Sequence, residues 1–364
     1  MRWMARIGAH GSAGLAGVVL AAWVAGRVLT DRHVWSQYVF WVPTEVALAS
    51  ATALWALAVV LAWVGGSKGR HAKWRRRVEA FGLMVAWAYT AVVVWRLPNA
   101  MMAGERGTSA GLRVLNWNVN GVERIEPIVA LLEKEKPDVA VFVNPHMGVA
   151  WHQVYEAFGE PRALVQESGI LVVSRVSIRR YGTCWLGVPR AEGDTRARVD
   201  PGRAMYVELD ATERVGGPVV AWVVDMPSSW RLRRWETAER AAEAIAGFSG
   251  REVRRDEKGN YSIGEEGMGF PRPGLVVGDF NVPRGSGSLG LVTGGGMRSA
   301  FDEAGWGRSG TWPRARPWLH LDQAFVGAGL RATRYEVIDA GAGSHRAQLV
   351  EVVGRSRARL RGVP

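Results

Sequence analysis

Four clusters of polar side chains in the part of this sequence that follows residue 111 could take part in catalysis or ligand binding. Each cluster follows a stretch that is predicted to be a β-strand. They are Asn118 with Asn120, Asp279 with Asn281, Asp322, and His345. Asn and Asp are common in turns, so one cluster alone would indicate only a loop. Ligands bind at strand ends in α/β proteins, however, and four such clusters could converge on one pocket.

The stretch GLVVGDFNVPRGSGSL, residues 274–289, contains the central cluster. Residues 275–277 are predicted to be a short buried strand that ends at Gly278. Asp279 and Asn281 then follow on a loop, and their spacing of two residues lets both side chains face the same pocket. A carboxylate and an amide in this position indicate catalysis or binding rather than packing.

The elements that would position these clusters follow an α/β pattern. An alternating strand at residues 112–117 precedes helical apolar spacing over 125–132 and an apolar strand at 138–143. This order predicts a sheet that is covered by helices. Residues 251–273, rich in glycine and mixed charges, are expected to form a surface excursion. Further strands are predicted at 170–174, 204–209, 219–224, 319–326, 332–338 and 348–353, with helices at 231–248 and 297–304.

Residues 1–97 contain three apolar runs, at about 12–29, 46–64 and 80–97. Each run is close to the roughly 20 residues that a helix needs to cross a bilayer. A cleaved signal peptide is the alternative for the first run, because Arg2 and Arg6 precede it, but it does not explain the other two. We therefore predict a membrane anchor of three transmembrane helices.

The distribution of basic residues predicts the topology of this anchor. Residues 65–77 contain six basic side chains, whereas residues 31–42 contain one Arg and one Asp. By the positive-inside rule, the basic connection lies in the cytoplasm together with the N-terminus, and three crossings place the rest of the chain outside. A linker at 98–111, a domain at 112–353 and a basic tail at 354–364 complete the predicted organisation.

Most of the net charge of +12 belongs to the predicted anchor. Residues 1–97 hold 11 basic and 3 acidic residues, which leaves 35 and 31 for the remainder. This modest surplus does not indicate a dedicated nucleic-acid binder. The lone cysteine, Cys184, excludes an intramolecular disulfide and a cysteine-based metal cluster.

Eight motifs occur in a fixed order from residue 112 to residue 353. They are LRVLNWNVNG, PDVAVFVN, SGILVVSR, VVDMPS, LVVGDFN, GTWP, LHLDQAFV and GSHRAQLVEV. This order resembles the endonuclease/exonuclease/phosphatase superfamily, which has the DNase I-like fold. The resemblance implies a four-layer α/β sandwich, in which helices flank two packed mixed sheets. The family also contains membrane-tethered bacterial members, so the resemblance implies a place in the bacterial inner membrane.

The resemblance also implies roles for individual residues. Asp279 would position or deprotonate the attacking water, and Asn281 would contact the phosphate or a metal. Asn118 would sit beside the metal or the scissile phosphate. His345 would face the phosphate, and Asp322 would hold its imidazole in one tautomer. A Mg²⁺ or Mn²⁺ ion on oxygen ligands would stabilise the charge on the phosphoryl oxygens.

Three positions depart from the family pattern. Asn144 stands where the family has a metal-binding Glu, Asp225 where it has a His, and Ser344 where it has an Asp. Amide and hydroxyl oxygens carry no charge, so the affinity for a metal is expected to fall. Asp225 would either restore a carboxylate in a relocated metal site or only cap a turn. The implied metal donors are Asn118, Asn144, Asp279, Asn281 and Asp225.

Two functions follow from these observations. The first is a membrane-anchored, extracytoplasmic, metal-dependent phosphoesterase with an atypical metal site, acting on phosphodiesters or phosphomonoesters. The alternative, suggested by Asn144 and Ser344, is a degenerate member that binds a phosphorylated ligand or a protein partner without hydrolysis. The expected partners are the lipid bilayer and a phosphate-ester substrate, either nucleic acid or phospholipid, and no protein partner is inferred for the enzyme.

Overall fold

The computed structural model describes residues 1–66, 70–103, 111–146, 151–159, 163–188, 201–256, 258, 260–266 and 269–355. The chain divides into two compact units, Met1–Leu97 and Pro98–Pro364. Half of the predicted linker, residues 104–110, and most of the predicted basic tail, residues 356–364, lie outside the described residues.

The first unit is helical. It contains α1 (Arg2–Leu29), α2 (Val34–Trp41), α3 (Thr44–Val64), α4 (Arg70–Tyr89) and a π-helical turn at Thr90–Val94, and α5 (Leu97–Ala103) begins at its last residue. Among the described residues, three helices are long and apolar enough to cross a membrane, namely Arg2–Leu29, Thr44–Val64 and Lys73–Val94. These three helices overlap the three apolar runs of the sequence.

The third helix begins earlier than its apolar run. α4 begins at Arg70, whereas the apolar run begins near residue 80. Residues 70–77, predicted to be part of a connecting loop, therefore lie in the helix. The reason is that Arg and Lys are good helix formers, and Arg75 forms an ion pair of 3.1 Å with Glu79 one turn later. Lys68 of the same basic connection lies outside the described residues.

The second unit is built from strands and short helices. Its strands are β1 (Leu112–Asn118), β2 (Val139–Val143), β3 (Ala163–Glu167), β4 (Ile170–Ser174), β5 (Ile178–Trp185), β6 (Arg203–Leu209), β7 (Val219–Asp225), β8 (Arg251–Arg255), β9 (Tyr261–Glu266), β10 (Leu275–Asp279), β11 (Arg298–Ser299), β12 (Asp322–Val326), β13 (Leu330–Ile338) and β14 (Ala347–Gly354). Its helices are α6 (Glu126–Glu135), α7 (Trp151–Ala157), α8 (Thr212–Val215), α9 (Arg234–Ala246), α10 (Leu289–Thr293) and α11 (Ala300–Ala304).

These strands form two mixed sheets. The first has six strands in the order β13-β14-β1-β2-β4-β3, and the second has eight in the order β11-β12-β10-β7-β6-β5-β8-β9. β1 and β2 are parallel, as are β7 and β10, and the other named pairs are antiparallel. The two parallel pairs bring several strand ends to one edge of the unit.

The two sheets pack face to face between layers of helix. Inward-facing side chains such as Val141 and Val277 form the core between the sheets. Leu131 of α6 and Val154 of α7 pack on the outer face of the six-stranded sheet. Ile245 of α9 belongs to the cluster on the outer face of the eight-stranded sheet. The predicted four-layer α/β sandwich is therefore confirmed.

Residues 251–273 are more regular than the sequence predicted. They contain β8 and β9, which pair with each other and extend the eight-stranded sheet through β5. The strand β8 has the charged sequence REVRR, which does not show the apolar and polar alternation of a strand. Its residue Glu252 is buried although it is charged, because it accepts hydrogen bonds from Tyr206 and Arg180. The prediction of a surface excursion was wrong for these two strands. The strands β3 and β5 were not predicted.

Candidate active site

The residues that the sequence predicted to form a functional site lie where strands begin and end. Asn118, Asp225 and Asp279 are the last residues of β1, β7 and β10. Asp322 is the first residue of β12 and pairs with Asp279 across the antiparallel ladder. His345 precedes β14, which runs antiparallel to β1. Parallel strand ends and antiparallel strand starts therefore meet at one edge of the sandwich.

Asp279 belongs to β10 itself and not to the loop that the sequence predicted. The local reason is Gly278, whose φ is +140°. A Cβ atom at this position would overlap the carbonyl oxygen of Val224 on β7. Glycine therefore allows β10 to continue beside β7 for one more residue, which places Asp279 opposite Asp225 in the ladder.

Both carboxylate oxygens of Asp279 accept hydrogen bonds. Asn118 Nδ2 donates to Oδ2 at 2.8 Å, and the backbone N–H of Asn281 donates to Oδ1 at 2.9 Å. Asn281 has a left-handed backbone, with φ of 50°, and its Nδ2 donates to the Met226 carbonyl at 2.7 Å. Burial, assisted by the charge of Asp322, raises the pKa of Asp279 to about 6.

His345 is held by Asp322 and faces Asp279. Its Nδ1 lies 2.9 Å from Asp322 Oδ2, and its Nε2 lies 3.8 Å from Asp279 Oδ2. Burial opposes the charged imidazolium, but the charges of Asp322 and Asp279 outweigh it and raise the pKa of His345 to about 9. Asp322 Oδ1 is buried and has no hydrogen-bond partner among the described residues, so the imidazolium is the close countercharge of this carboxylate.

Asn144 and Asp225 are both bound by an arginine. Arg203 is the first residue of β6 and pairs with Asp225 in the antiparallel ladder. Its Nε donates to Asp225 Oδ2 at 2.8 Å, and its Nη2 donates to Asn144 Oδ1 at 2.5 Å. Asn144 Nδ2 in turn donates to Asn118 Oδ1 at 3.4 Å. Hydrogen bonds therefore connect Asp279 to Asp225 through Asn118, Asn144 and Arg203.

Ser344 takes no part in this connected group. Its hydroxyl donates to the carbonyl of Asn120 at 3.1 Å, and its backbone N–H donates to the same oxygen at 3.0 Å. The residue joins the loop after β1 to the loop before β14. At this position the serine fixes the approach of His345 to the end of β1.

Arg203 was missed by sequence reasoning. The predicted strand began at residue 204, so Arg203 lay just outside it and was not considered a site residue. A signal was nevertheless present, because consecutive antiparallel strands pair the start of the first with the end of the second. The predicted end of the next strand lies directly before Asp225, so the hairpin would place an arginine opposite an aspartate.

A buried group of three described residues could hold a metal ion. Enzymes of the family depend on divalent metals, and the donor atoms of Asp279, Asp322 and His345 lie within 4.8 Å of one another. The charges of Asp322 and Asp279 raise the pKa of His345 and so favour its protonated form, and its Nδ1 already bonds to Asp322. A metal ion at this group could bind to the imidazole only after the second ring nitrogen, Nε2, had lost its proton.

The donors that the family resemblance implies fit a resident divalent ion poorly. Asn118 Oδ1 accepts from the Asn120 backbone N–H and from Asn144. The oxygens of Asn144 and Asp225 bond to a guanidinium, which would repel a second cation beside it. Asp279 is therefore the one carboxylate of the implied set that no arginine contacts among the described residues.

Comparison with protein families gives a match in the later part of the chain. A model of the Endonuclease/Exonuclease/phosphatase family matches residues 255–346, which confirms the predicted family resemblance over that stretch. No curated protein gave a significant match.

Three solved structures are examples of what this chain is similar to. A mannosyl-6-phosphatase of Bacteroides thetaiotaomicron is 16% identical over 66% of this chain and 99% of its own, with a TM-score of 0.48. A humanized D. rerio TDP2 is 13% identical over 67% of this chain and 99% of its own, with a TM-score of 0.46. ANGEL2, a 2',3'-cyclic phosphatase, is 12% identical over 66% of this chain and 95% of its own, with a TM-score of 0.42.

Proposed function

We propose that this chain hydrolyses phosphate esters in the pocket around Asp279. The observation that carries the proposal is the distance of 3.8 Å between Asp279 Oδ2 and His345 Nε2, since a buried carboxylate and a buried imidazole this close can act on one substrate. The match of residues 255–346 to the family supports it, because this stretch includes Asp279, Asn281, Asp322 and His345.

Asp279 is the proposed base. Hydrolysis of a phosphate ester needs a water molecule that is oriented toward phosphorus and loses a proton as it attacks. The hydrogen bonds from Asn118 and from the backbone of Asn281 fix the plane of the Asp279 carboxylate. A carboxylate that is fixed at the end of β10 can orient such a water molecule toward the phosphorus atom.

His345 is the proposed cation that meets the phosphate. Because Asp322 Oδ2 accepts the hydrogen of Nδ1, the second ring nitrogen carries its proton toward Asp279 and the pocket. This N–H can donate to a phosphoryl oxygen, or to the oxygen of the leaving group as the ester bond breaks. Asp322 acts through His345 and is therefore a positioning residue.

The domain is proposed to act outside the cytoplasm, at the surface of a bacterial inner membrane. Three helices of suitable length support an anchor, and the basic residues near the start of α4 support a cytoplasmic connection between the second and third helices. An odd number of crossings then puts the second unit on the outer side. Phospholipid and external nucleic acid are the substrates within reach of that location.

The full-length protein in detergent micelles tests the hydrolase proposal. It is incubated with bis(p-nitrophenyl) phosphate, p-nitrophenyl phosphate, plasmid DNA and phospholipid vesicles, with EDTA or with Mn²⁺. The control is the Asp279→Ala, His345→Ala double variant purified in parallel. We expect at least one substrate to be turned over about 1,000-fold faster than by the control. Equal rates for both proteins on every substrate would contradict the proposal.

A binding protein without turnover is the second candidate. Ser344 and Asn144, which replace charged residues of the family pattern, are both used in internal hydrogen bonds. Calorimetric titration with inorganic phosphate distinguishes the two candidates when it is combined with the substrate assays. Phosphate binding by the wild-type protein, together with rates equal to those of the double variant, would favour the binder.

A further inference from the structure

We propose that the guanidinium of Arg203 supplies the fixed positive charge that a divalent ion would supply in this pocket, so that phosphate binding and turnover need no metal. The inference rests on the proposed function and names the group that meets the substrate's charge. Its starting observation is that Arg203 contacts Asn144 and Asp225, two of the residues that the family resemblance implied as metal donors.

The guanidinium of Arg203 is surrounded by hydrogen-bond acceptors. Its Nη1 donates to the carbonyl of Ser168 at 3.2 Å, in addition to its bonds with Asp225 and Asn144. Gly169 follows Ser168, with φ of +74°, and a Cβ atom there would overlap the guanidinium. The glycine in the turn between β3 and β4 therefore leaves room for this guanidinium.

The arginine is held in place by a buried countercharge. The Asp225 side chain is 2% exposed and the Arg203 side chain is 15% exposed. A buried carboxylate without a partner would cost several kcal/mol, so the pair keeps the guanidinium from swinging out to solvent. The hydrogen bonds through Asn144 and Asn118 connect this held guanidinium to Asp279.

The substitution at residue 144 suits an arginine and not a metal. A carboxylate attracts a divalent ion by its charge, whereas Asn144 offers one neutral oxygen. That oxygen accepts from Arg203, and a Glu at this position would instead add a third carboxylate beside Asp225 and Asp279. The neutral amide joins Arg203 to Asn118, which orients Asp279. The cation and the proposed base are therefore parts of one hydrogen-bonded group.

Arginine is chemically suited to the role. Its planar guanidinium is always charged and binds phosphate oxygens in a fork geometry. Together with His345 it would place two cations around a phosphoryl group, next to the water held by Asp279. The predicted ligand is therefore a phosphate ester that binds without a metal.

The test uses the full-length protein after exhaustive treatment with EDTA. Titration calorimetry measures the binding of inorganic phosphate in EDTA and in Mn²⁺, and electron paramagnetic resonance measures the binding of Mn²⁺ itself. We expect the phosphate Kd to agree within about twofold between the two buffers, and Mn²⁺ to remain unbound at concentrations of protein near the phosphate Kd. A phosphate Kd that improves by about 10-fold or more only with Mn²⁺ would overturn the inference.

Variants link the result to the arginine. Arg203→Met combined with Asp225→Asn removes both buried charges together and so avoids leaving one unpaired. We expect this double variant to lose phosphate affinity in EDTA by about 10-fold or more, while its thermal midpoint shows that it is folded. Arg203→Met combined with Asn144→Glu replaces the cation by a carboxylate and is expected to gain Mn²⁺ binding. Unchanged phosphate affinity in the first variant would overturn the inference.

Turnover assays separate this inference from the hydrolase proposal. Turnover that survives EDTA supports both, and turnover that appears only with Mn²⁺ overturns the inference while supporting the hydrolase. Absence of turnover in both buffers contradicts the hydrolase, and the phosphate titrations then still decide the role of Arg203.

Discussion

Asn118 on the six-stranded sheet donates a hydrogen bond of 2.8 Å to Asp279 on the eight-stranded sheet. The pocket is thus built across the sandwich, and the alignment of the two sheets sets the direction of the proposed base. His345 makes a second link of this kind, because it approaches from the strand beside β1 and bonds to Asp322 on β12. Small shifts between the sheets would therefore change the geometry of the proposed active site.

The link from Asn118 gives the first prediction. Asn118→Ala removes the donor that orients Asp279, so kcat is expected to fall by about 10- to 100-fold with a smaller change in KM. Asn120→Ala is the matched control, because the hydrogen bonds described for Asn120 use its backbone. Steady-state kinetics on the best phosphate ester measure both variants. Equal losses in kcat for the two alanine variants would show that the hydrogen bond to Asp279 is not what matters.

A second prediction concerns the pH dependence of the reaction. The Asp322 carboxylate is a principal reason that the pKa of His345 is raised to about 9. A group with a raised pKa keeps its proton below that value and loses it as the pH rises, so wild-type kcat should fall on the alkaline side near this pKa. Asp322→Asn should move that fall to lower pH. An alkaline limb at the same pH in both proteins would contradict the role given to Asp322.

The third prediction concerns the backbone that delivers Asp279. Gly278→Ala would force a Cβ atom into the Val224 carbonyl at a φ that side chains rarely adopt, and is expected to cost about 3 kcal/mol or more in the free energy of unfolding. Gly274→Ala is the control one residue before β10, where the nearest atom to the new Cβ would be 3.5 Å away. Thermal or chemical unfolding compares the two. A similar small loss for both would contradict the account of Gly278.

The fourth prediction concerns membrane topology. Cys184 is the single cysteine, and its replacement by Ser gives a thiol-free background. The Cys184 thiol is half-buried and burial raises its pKa to about 11, so it has no expected role that the replacement would remove. Glu213→Cys and Lys73→Cys then place one exposed thiol in the second unit and one in α4. In intact cells whose outer membrane is made permeable, a membrane-impermeant maleimide should label residue 213 and spare residue 73. The reverse pattern would contradict the proposed orientation.

Parts of the site could be predicted because strand ends leave a mark in the sequence. Asn118, Asp279 and Asp322 each break an apolar run, and a polar residue directly after or before buried strand residues signals the edge of a sheet. Asp279 was nevertheless assigned to a loop, since Gly278 looked like the end of the strand. The positive φ of Gly278 that allows β10 to continue depends on the neighbouring strand and not on the local sequence.

Other parts depend on pairing between distant segments. Arg203 donates a hydrogen bond to Asn144, which is 59 residues away in the sequence. The periodicity of either segment does not predict that contact. The sequence suggested that Asp225 either relocated a metal or capped a turn, whereas its carboxylate bonds to Arg203. Fold class follows from patterns within each element, but the charge balance of a pocket follows from which elements become neighbours.

The most direct test of the central claim is kcat/KM for hydrolysis of the best phosphate ester by the wild-type protein and by Asp279→Asn. This substitution keeps the size of the side chain and removes the carboxylate that is proposed to accept the proton of water. We expect kcat/KM to fall by about 1,000-fold while the thermal midpoint stays close to that of the wild type. Equal values of kcat/KM for the two proteins would contradict the claim that this pocket hydrolyses phosphate esters.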